Sequence, residues 1–324
     1  MAGLRGNQAF WVAAKQEEKG KEPKKWQDTY LFTDGNINPS RQTDQLSETD
    51  SNRNAGDFFV TQTGSEGAPA AYIRTASIQH LLEYALGTAS HEGSAEAGFT
   101  HKVSSAAALP YITLGKGQGA TLYEQFNDCK VDELSLSWST GQPGTVSASV
   151  MGRSAVRQTK AWEGELAAPT TNTDAPLSFN GATVKIGGAE TRLVSSFELT
   201  ISNNLTVQQT DDSIPFDIVE GPLAVTLGFD YIVEDLKEYN KFHYGGEAGT
   251  AQSASIYTTE DLTFEFAGKN AKNSLKLVIP KTAYTEFPIE PDAGGAPVTA
   301  AVRGAAQRDE EGFVQATVLN EIEK

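Results

Sequence analysis

Apolar and polar residues alternate along much of this chain, the period of a strand with one buried face. The clearest run is Val131–Ser139. Leu134, Leu136 and Trp138 fall on one side, and Ser135, Ser137 and Ser139 on the other. The turn-forming stretch Thr140-Gly-Gln-Pro-Gly144 follows, and Val146, Ala148 and Val150 resume the alternation. This predicts a hairpin with a loop of a few residues. A second block places Phe197, Leu199 and Ile201 against Leu223, Val225, Leu227 and Phe229, with turn chemistry at Asn203-Asn204. A third runs Leu262, Phe264, Phe266 and then Leu275, Leu277, Ile279, where Pro280 is expected to stop the strand. The last is expected to pair Val298–Val302 with Phe313–Leu319 across the charged turn Arg308–Gly312. Roughly ten to twelve strands follow from this reading. The two central blocks form a loose repeat of unequal spacing, which a duplicated β unit and shared strand chemistry explain equally well.

One helix stands out. Ile78, Leu81, Leu82 and Ala85 recur at helical spacing in the segment from about Thr75 to Gly87. Thr75 or Ser77 is placed to cap its start, and Gly87 sits where a C-terminal glycine belongs. The segments 34–56, 88–105 and 153–179 read as long polar loops.

Length and charge narrow the class. A chain of 324 residues carries a soft prior of about two domains, although all-β folds often stay single. One domain across 1–324 is expected here, with the β region 256–324 as its less regular end. Lys plus Arg number 26 and Asp plus Glu 42, a net charge of −16. Duplex binders gather Lys and Arg into clusters, whereas the nearest basic run here is Lys19–Lys25. The acidic balance fits solubility, and it also fits a surface that lets DNA pass without holding it. Nothing near the N-terminus reads as a signal peptide, and no stretch is apolar enough for a membrane helix.

Candidate chemistry is sparse. The single cysteine, Cys129, precludes an internal disulfide and reads as a small buried hydrophobe. His80, His91, His101 and His243 lack metal spacing, and His91 and His101 are expected as an exposed, solvated pair. Leu114-Gly-Lys-Gly-Gln-Gly119 is glycine-rich but lacks the Lys-Ser/Thr ending of a phosphate loop, so a turn between strands is expected. No Gly-x-Ser-x-Gly elbow occurs. Asp211-Asp212 could take calcium but reads more simply as a solvated turn, and Asn204-Leu-Thr206 matches a sequon without other signs of secretion. No catalytic, metal or cofactor site is expected.

Arg192–Leu205, then Pro215 and Gly221–Phe229, resembles the tube proteins of long, non-contractile phage tails. The hairpin Lys130–Arg153 resembles that family's central strand pair, and Gln45–Arg53 and Ala71–Arg74 are also similar. The likeness spans roughly Ile37 to Glu234 and rests on the order of the motifs, with 153–179 and 239–255 departing from the pattern. The resemblance implies a mainly β sandwich or barrel with one flanking helix and long assembly loops. It implies a structural virion protein, not an enzyme, that forms stacked, usually hexameric rings as the conduit for DNA ejection. It implies assembly in the host cytoplasm into the virion tail. The implied partners are copies of itself, the tail initiator or tip, the tail terminator, the tape measure protein in the lumen, and genomic DNA passing without specific binding. By analogy, the loop carrying Arg41, Asp44, Glu48, Asp50 and Arg53 is the segment that reaches neighbouring subunits. The competing readings are another tail component, such as a tail-end ring or a contractile machine's tube; a carbohydrate- or receptor-binding module using Trp162 or Tyr244; and a hydrolase with a carboxylate pair.

Overall fold

The alternating segments fold as strands of an antiparallel network. The computed structural model describes residues 6–47, 56–119, 121–162, 174–289, 297–310 and 312–322. In chain order the first elements are β1 (Ala9–Lys15), β2 (Asp28–Tyr30), β3 (Phe32–Asp34), β4 (Ile37–Gln45), β5 (Phe58–Gly67) and β6 (Ala70–Tyr72). Helix α1 (Thr75–Leu86) leads to β7 (Gly87–Ser94), β8 (Gly98–Ser105), β9 (Ile112–Gln118), β10 (Leu122–Ser139) and β11 (Thr145–Gln158). Then come β12 (Thr183–Ile186), β13 (Ala189–Thr191), β14 (Val194–Ser202), β15 (Thr206–Gln208), β16 (Asp217–Val219) and β17 (Ala224–Ile232). Helix α2 (Lys237–Tyr244) precedes β18 (Thr258–Ala267), β19 (Ser274–Glu286), β20 (Thr299–Ala306) and β21 (Gln315–Asn320).

The long strand β10 organises the fold. One of its edges carries β11 over nearly its whole length. Its other edge is shared by β9, toward Leu122, and β14, toward Ser139. From β14 the sheet continues through β17, β20 and β19 to β18. From β9 it continues to β1 and β2. A side branch from β19 runs through β21 and β8 to β7. The pairings among the described strands branch without closing into a ring, so the result is open sheets packed face to face, not a closed barrel.

Burial follows the pleat. Trp138, Phe197, Phe229 and Val302 line up across β10, β14, β17 and β20 on the inner side. All four are buried. The sheet then turns through β19 and returns as β18, laying Phe264 and Phe266 over that row. Phe197 stacks on Phe264 at 3.6 Å between ring centroids, and Trp138 on Phe266 at 4.0 Å. Each such side chain contributes about 1.5–3 kcal/mol by leaving water. The same core continues past Leu275, Leu277 and Val318 to Ile78 and Leu82 of α1.

Helix α1 has the expected bounds, and Gly87 closes it in the left-handed conformation at φ 106°. Its start differs from the expectation. Arg74 is the N-cap and no side chain caps it, because Thr75 Oγ1 instead donates to Asp174. The short α2 was not legible, since its eight residues bury no complete apolar face.

Several segments depart from the sequence reading. The stretch 34–56 is not a loop through its first half, because β4 pairs with β5 as a long hairpin. Likewise 88–105 is the β7–β8 hairpin. The segment 153–179 begins as β11, and residues 163–173 lie outside the described residues. β19 also runs through Pro280. That proline lies between the partner segments of β21 (Ser274–Val278) and β20 (Thr282–Glu286), so its missing N–H interrupts neither ladder. For the same reason β20 and β21 do not pair with each other: they share one edge of β19 end to end.

Candidate functional site

The outer side of the β11–β10–β14–β17–β20 sheet is polar along its rows. Register places Thr145, Ser137, Glu198, Gly228 and Arg303 side by side on that face. A neighbouring row runs Ser147, Ser135, Thr200, Thr226 and Ala305. The flanking rows are Ser149, Glu133, Ser202 and Ala224 on one side, and Ser139, Ser196, Asp230 and Ala301 on the other. The hydroxyls bond within the face. Ser135 and Ser202 donate to Glu133, and Ser196 Oγ donates to Asp230 Oδ2 at 2.7 Å. The carboxylates Glu133, Glu198 and Asp230 therefore lie on a surface of small neutral groups. Arg303 is the only cation in these rows, and its Nη1 sits 3.2 Å from Glu198 Oε2.

The second feature is the β4–β5 hairpin. Its root is fixed on β11, where Val150, Met151 and Gly152 pair with Gly67, Glu66 and Ser65. Beyond that the hairpin leaves the sheet, and Thr63 N donates to Ser213 O. Arg153 braces this junction, donating to the Pro215 carbonyl at 2.7 Å and to Asp128 at 2.6 Å. Asp128 occupies a bulge of β10 with φ 51° and also accepts from Gly20 N. Where β5 begins, at the far end of the ladder, Phe58 is 69% exposed and Phe59 45%. Arg41 and Asp44 lie on β4, exposed, opposite Thr63 and Phe59. Glu48, Asp50 and Arg53 lie outside the described residues. Sequence reasoning chose the charged residues here and missed Phe58-Phe59-Val60, a run of three apolar residues with no alternation to bury it.

Comparison with protein families decides the class. The model of the phage tail tube protein family matches residues 6–306. The chain belongs to that family. No individually curated protein matches it. Membership makes the protein a structural component of the virion tail that self-assembles into the tube.

The other side chains singled out in the sequence of this tail tube protein are held by packing and hydrogen bonds. Cys129 is buried, and burial pushes its thiol up to about 12. His91 and His101 are not a solvated pair. His101 is buried, its Nδ1 lies 2.6 Å from His91 Nδ1, and its Nε2 faces Asn320 Oδ1 and the Ile322 carbonyl. His243 hydrogen-bonds the Phe287 carbonyl. His80 lies 3.6 Å from Asp28, whose carboxyl burial holds above the ordinary carboxylate range. The glycine-rich segment is strand β9, not a turn. Its glycines make room for Trp162 against Gly115 and Phe10 against Gly117, while buried Lys116 pairs with Glu124 at 2.6 Å. Trp162 therefore packs on Phe10, Trp26 and Tyr123 and offers no open stacking platform. Tyr244 packs against Tyr239. Asp212 accepts from Ile214 N and Ser213 Oγ within its own turn. Among the described residues no three or more His, Cys, Asp or Glu gather as a metal site, and no helix is long and apolar enough to cross a membrane.

Proposed function

We propose that this chain closes into hexameric rings that stack into the tail tube, with the Ser/Thr-rich face of β11, β10, β14, β17 and β20 lining the channel for DNA ejection. The observation that carries this is the face itself: hydroxyls and carboxylates in register outside, aromatic core inside. A channel wall must not hold what it conducts. With a Debye length of about 8 Å at physiological salt, wall charges act on DNA only at near contact. Carboxylates there repel phosphate, and hydroxyls supply wetting without charge. A basic wall touching 6–10 phosphates would change affinity about 10³-fold or more over modest salt changes, and would stall release.

Ring closure uses edges. Among the described residues, β7, β13 and the stretch of β11 beyond Gly152 each have an edge with no partner strand, which copies of the chain can complete. The β4–β5 hairpin, with Arg41 and Asp44 along it and Phe58 and Phe59 at its end, reaches the neighbouring subunit or ring and buries there the apolar surface left bare in one subunit. Permanent interfaces of this kind commonly bury about 2,000 Å² or more. The tail initiator or tip, the terminator and the tape measure protein are the expected further partners, with assembly in the host cytoplasm and the whole chain acting as one tube domain.

The test is charge reversal on the wall. Virions carrying Glu133→Lys and Asp230→Lys should form tubes of normal length and release DNA more slowly after triggering, with added salt restoring the rate. Unchanged release kinetics in intact tubes would contradict the placement.

A further inference from the structure

We propose that Gly228 and Glu198 together hold the Arg303 guanidinium flat on the polar face, so that the wall presents no free cation to passing phosphates. This rests on the reading of that face as the channel wall.

The geometry is specific. Glu198 on β14 and Arg303 on β20 are not neighbours; both register against Gly228 on the strand between them. Two strand spacings separate their backbones, on the order of 9–10 Å. Their side chains meet at 3.2 Å because nothing stands between them. A Cβ on residue 228 would lie 2.0 Å from Arg303 Nη1. Any side chain there would lift the guanidinium off the sheet. The groove in which it lies is walled by Thr200, Thr226 and Thr285, whose hydroxyls carry no charge, and although Glu286 registers against Arg303 on β19, the carboxylate within ion-pair distance is that of Glu198.

Stability does not account for the arrangement. The Arg303 and Glu198 side chains are 48% and 58% exposed. Exposed pairs of this kind contribute little to folding. What the pair does change is the charge offered to solvent. A guanidinium cannot shed its proton near neutral pH, so pairing is the only way to mask it. Unpaired, its fork of donors matches a phosphate and would be repeated in every subunit of every ring.

The experiment uses tubes assembled from the full chain and a short fluorescent duplex DNA, followed by co-sedimentation at low salt. Wild-type tubes should retain little duplex. Glu198→Gln tubes should retain about tenfold more, the affinity falling roughly twofold per doubling of salt for each phosphate held. Gly228→Ala should raise retention in the same direction by displacing the guanidinium. The double variant Glu198→Gln/Arg303→Gln should return to the wild-type level, which separates the cation from any general loss of charge. Glu198→Gln tubes that retain no more than wild type, or a double variant that retains as much as the single, overturn the proposal. A labelling arm separates this result from the channel reading. Because Cys129 is buried, Ser137→Cys reports alone. A small maleimide should reach it in intact tubes and a bulky polymer-linked one should not. Labelling by the bulky reagent overturns the channel placement. Low retention by Glu198→Gln tubes in which that site is protected overturns the masking alone.

Discussion

His101 shows how much one side chain can join. It sits on β8, contacts His91 on β7, and meets Asn320 of β21, whose Nδ2 donates to the Thr75 carbonyl and to Gln79 of α1. Asn320→Ala should cost about 1–3 kcal/mol for each polar group it orphans, read as a lower denaturant midpoint with an unchanged slope. Burial, with the nearby His91 adding to it, holds His101 below the ordinary histidine value. The unfolded chain therefore binds the proton more readily. The stabilisation is fully present above the ordinary value of about 6.5 and is lost as pH falls through the lowered one. Melting should accordingly occur at lower temperature at acid pH than at neutral pH, and His101→Gln should flatten that dependence. In the core, Phe264→Ala removes one ring from the Phe197 stack and should cost about 3–5 kcal/mol by denaturant titration. The aromatic positions were legible because alternation marks them. The histidine pair was not, since its partner Asn320 lies 219 residues away and no local pattern announces it.

Elements were legible in proportion to their length. The pairs β10–β11, β14–β17 and β18–β19 appear as read, with Phe197 opposite Phe229 and Leu262 opposite Ile279. Strands of three residues, such as β6 and β13, carry too few positions for a period to show. The β4–β5 hairpin was hidden for another reason. Most of β4 is exposed, so neither face is apolar and the period-two signal is absent. That same exposure makes it testable. Phe58→Ser with Phe59→Ser should leave the unfolding midpoint of the unassembled chain within about 0.5 kcal/mol of wild type. It should weaken assembly strongly, measured as the protein concentration at which sedimenting tubes form. Equal assembly of the double variant would remove the hairpin from the interface.

At the scale of the whole molecule, the polar face was legible strand by strand but not as a surface. Ser135, Ser137 and Ser139 were assigned to a polar side, yet only register brings Glu198, Gly228 and Arg303 into one row. The net charge of −16 gained a location by the same step, with Glu133, Glu198 and Asp230 gathered on one sheet face. Electron cryomicroscopy of tubes assembled from the full chain would show which face of the sheet lines the channel. Stacked rings are expected in which Ser137, Thr200 and Thr226 face the channel and the Trp138–Phe266 stack lies behind them. Tubes with that face turned to the outside or buried between subunits would contradict this placement.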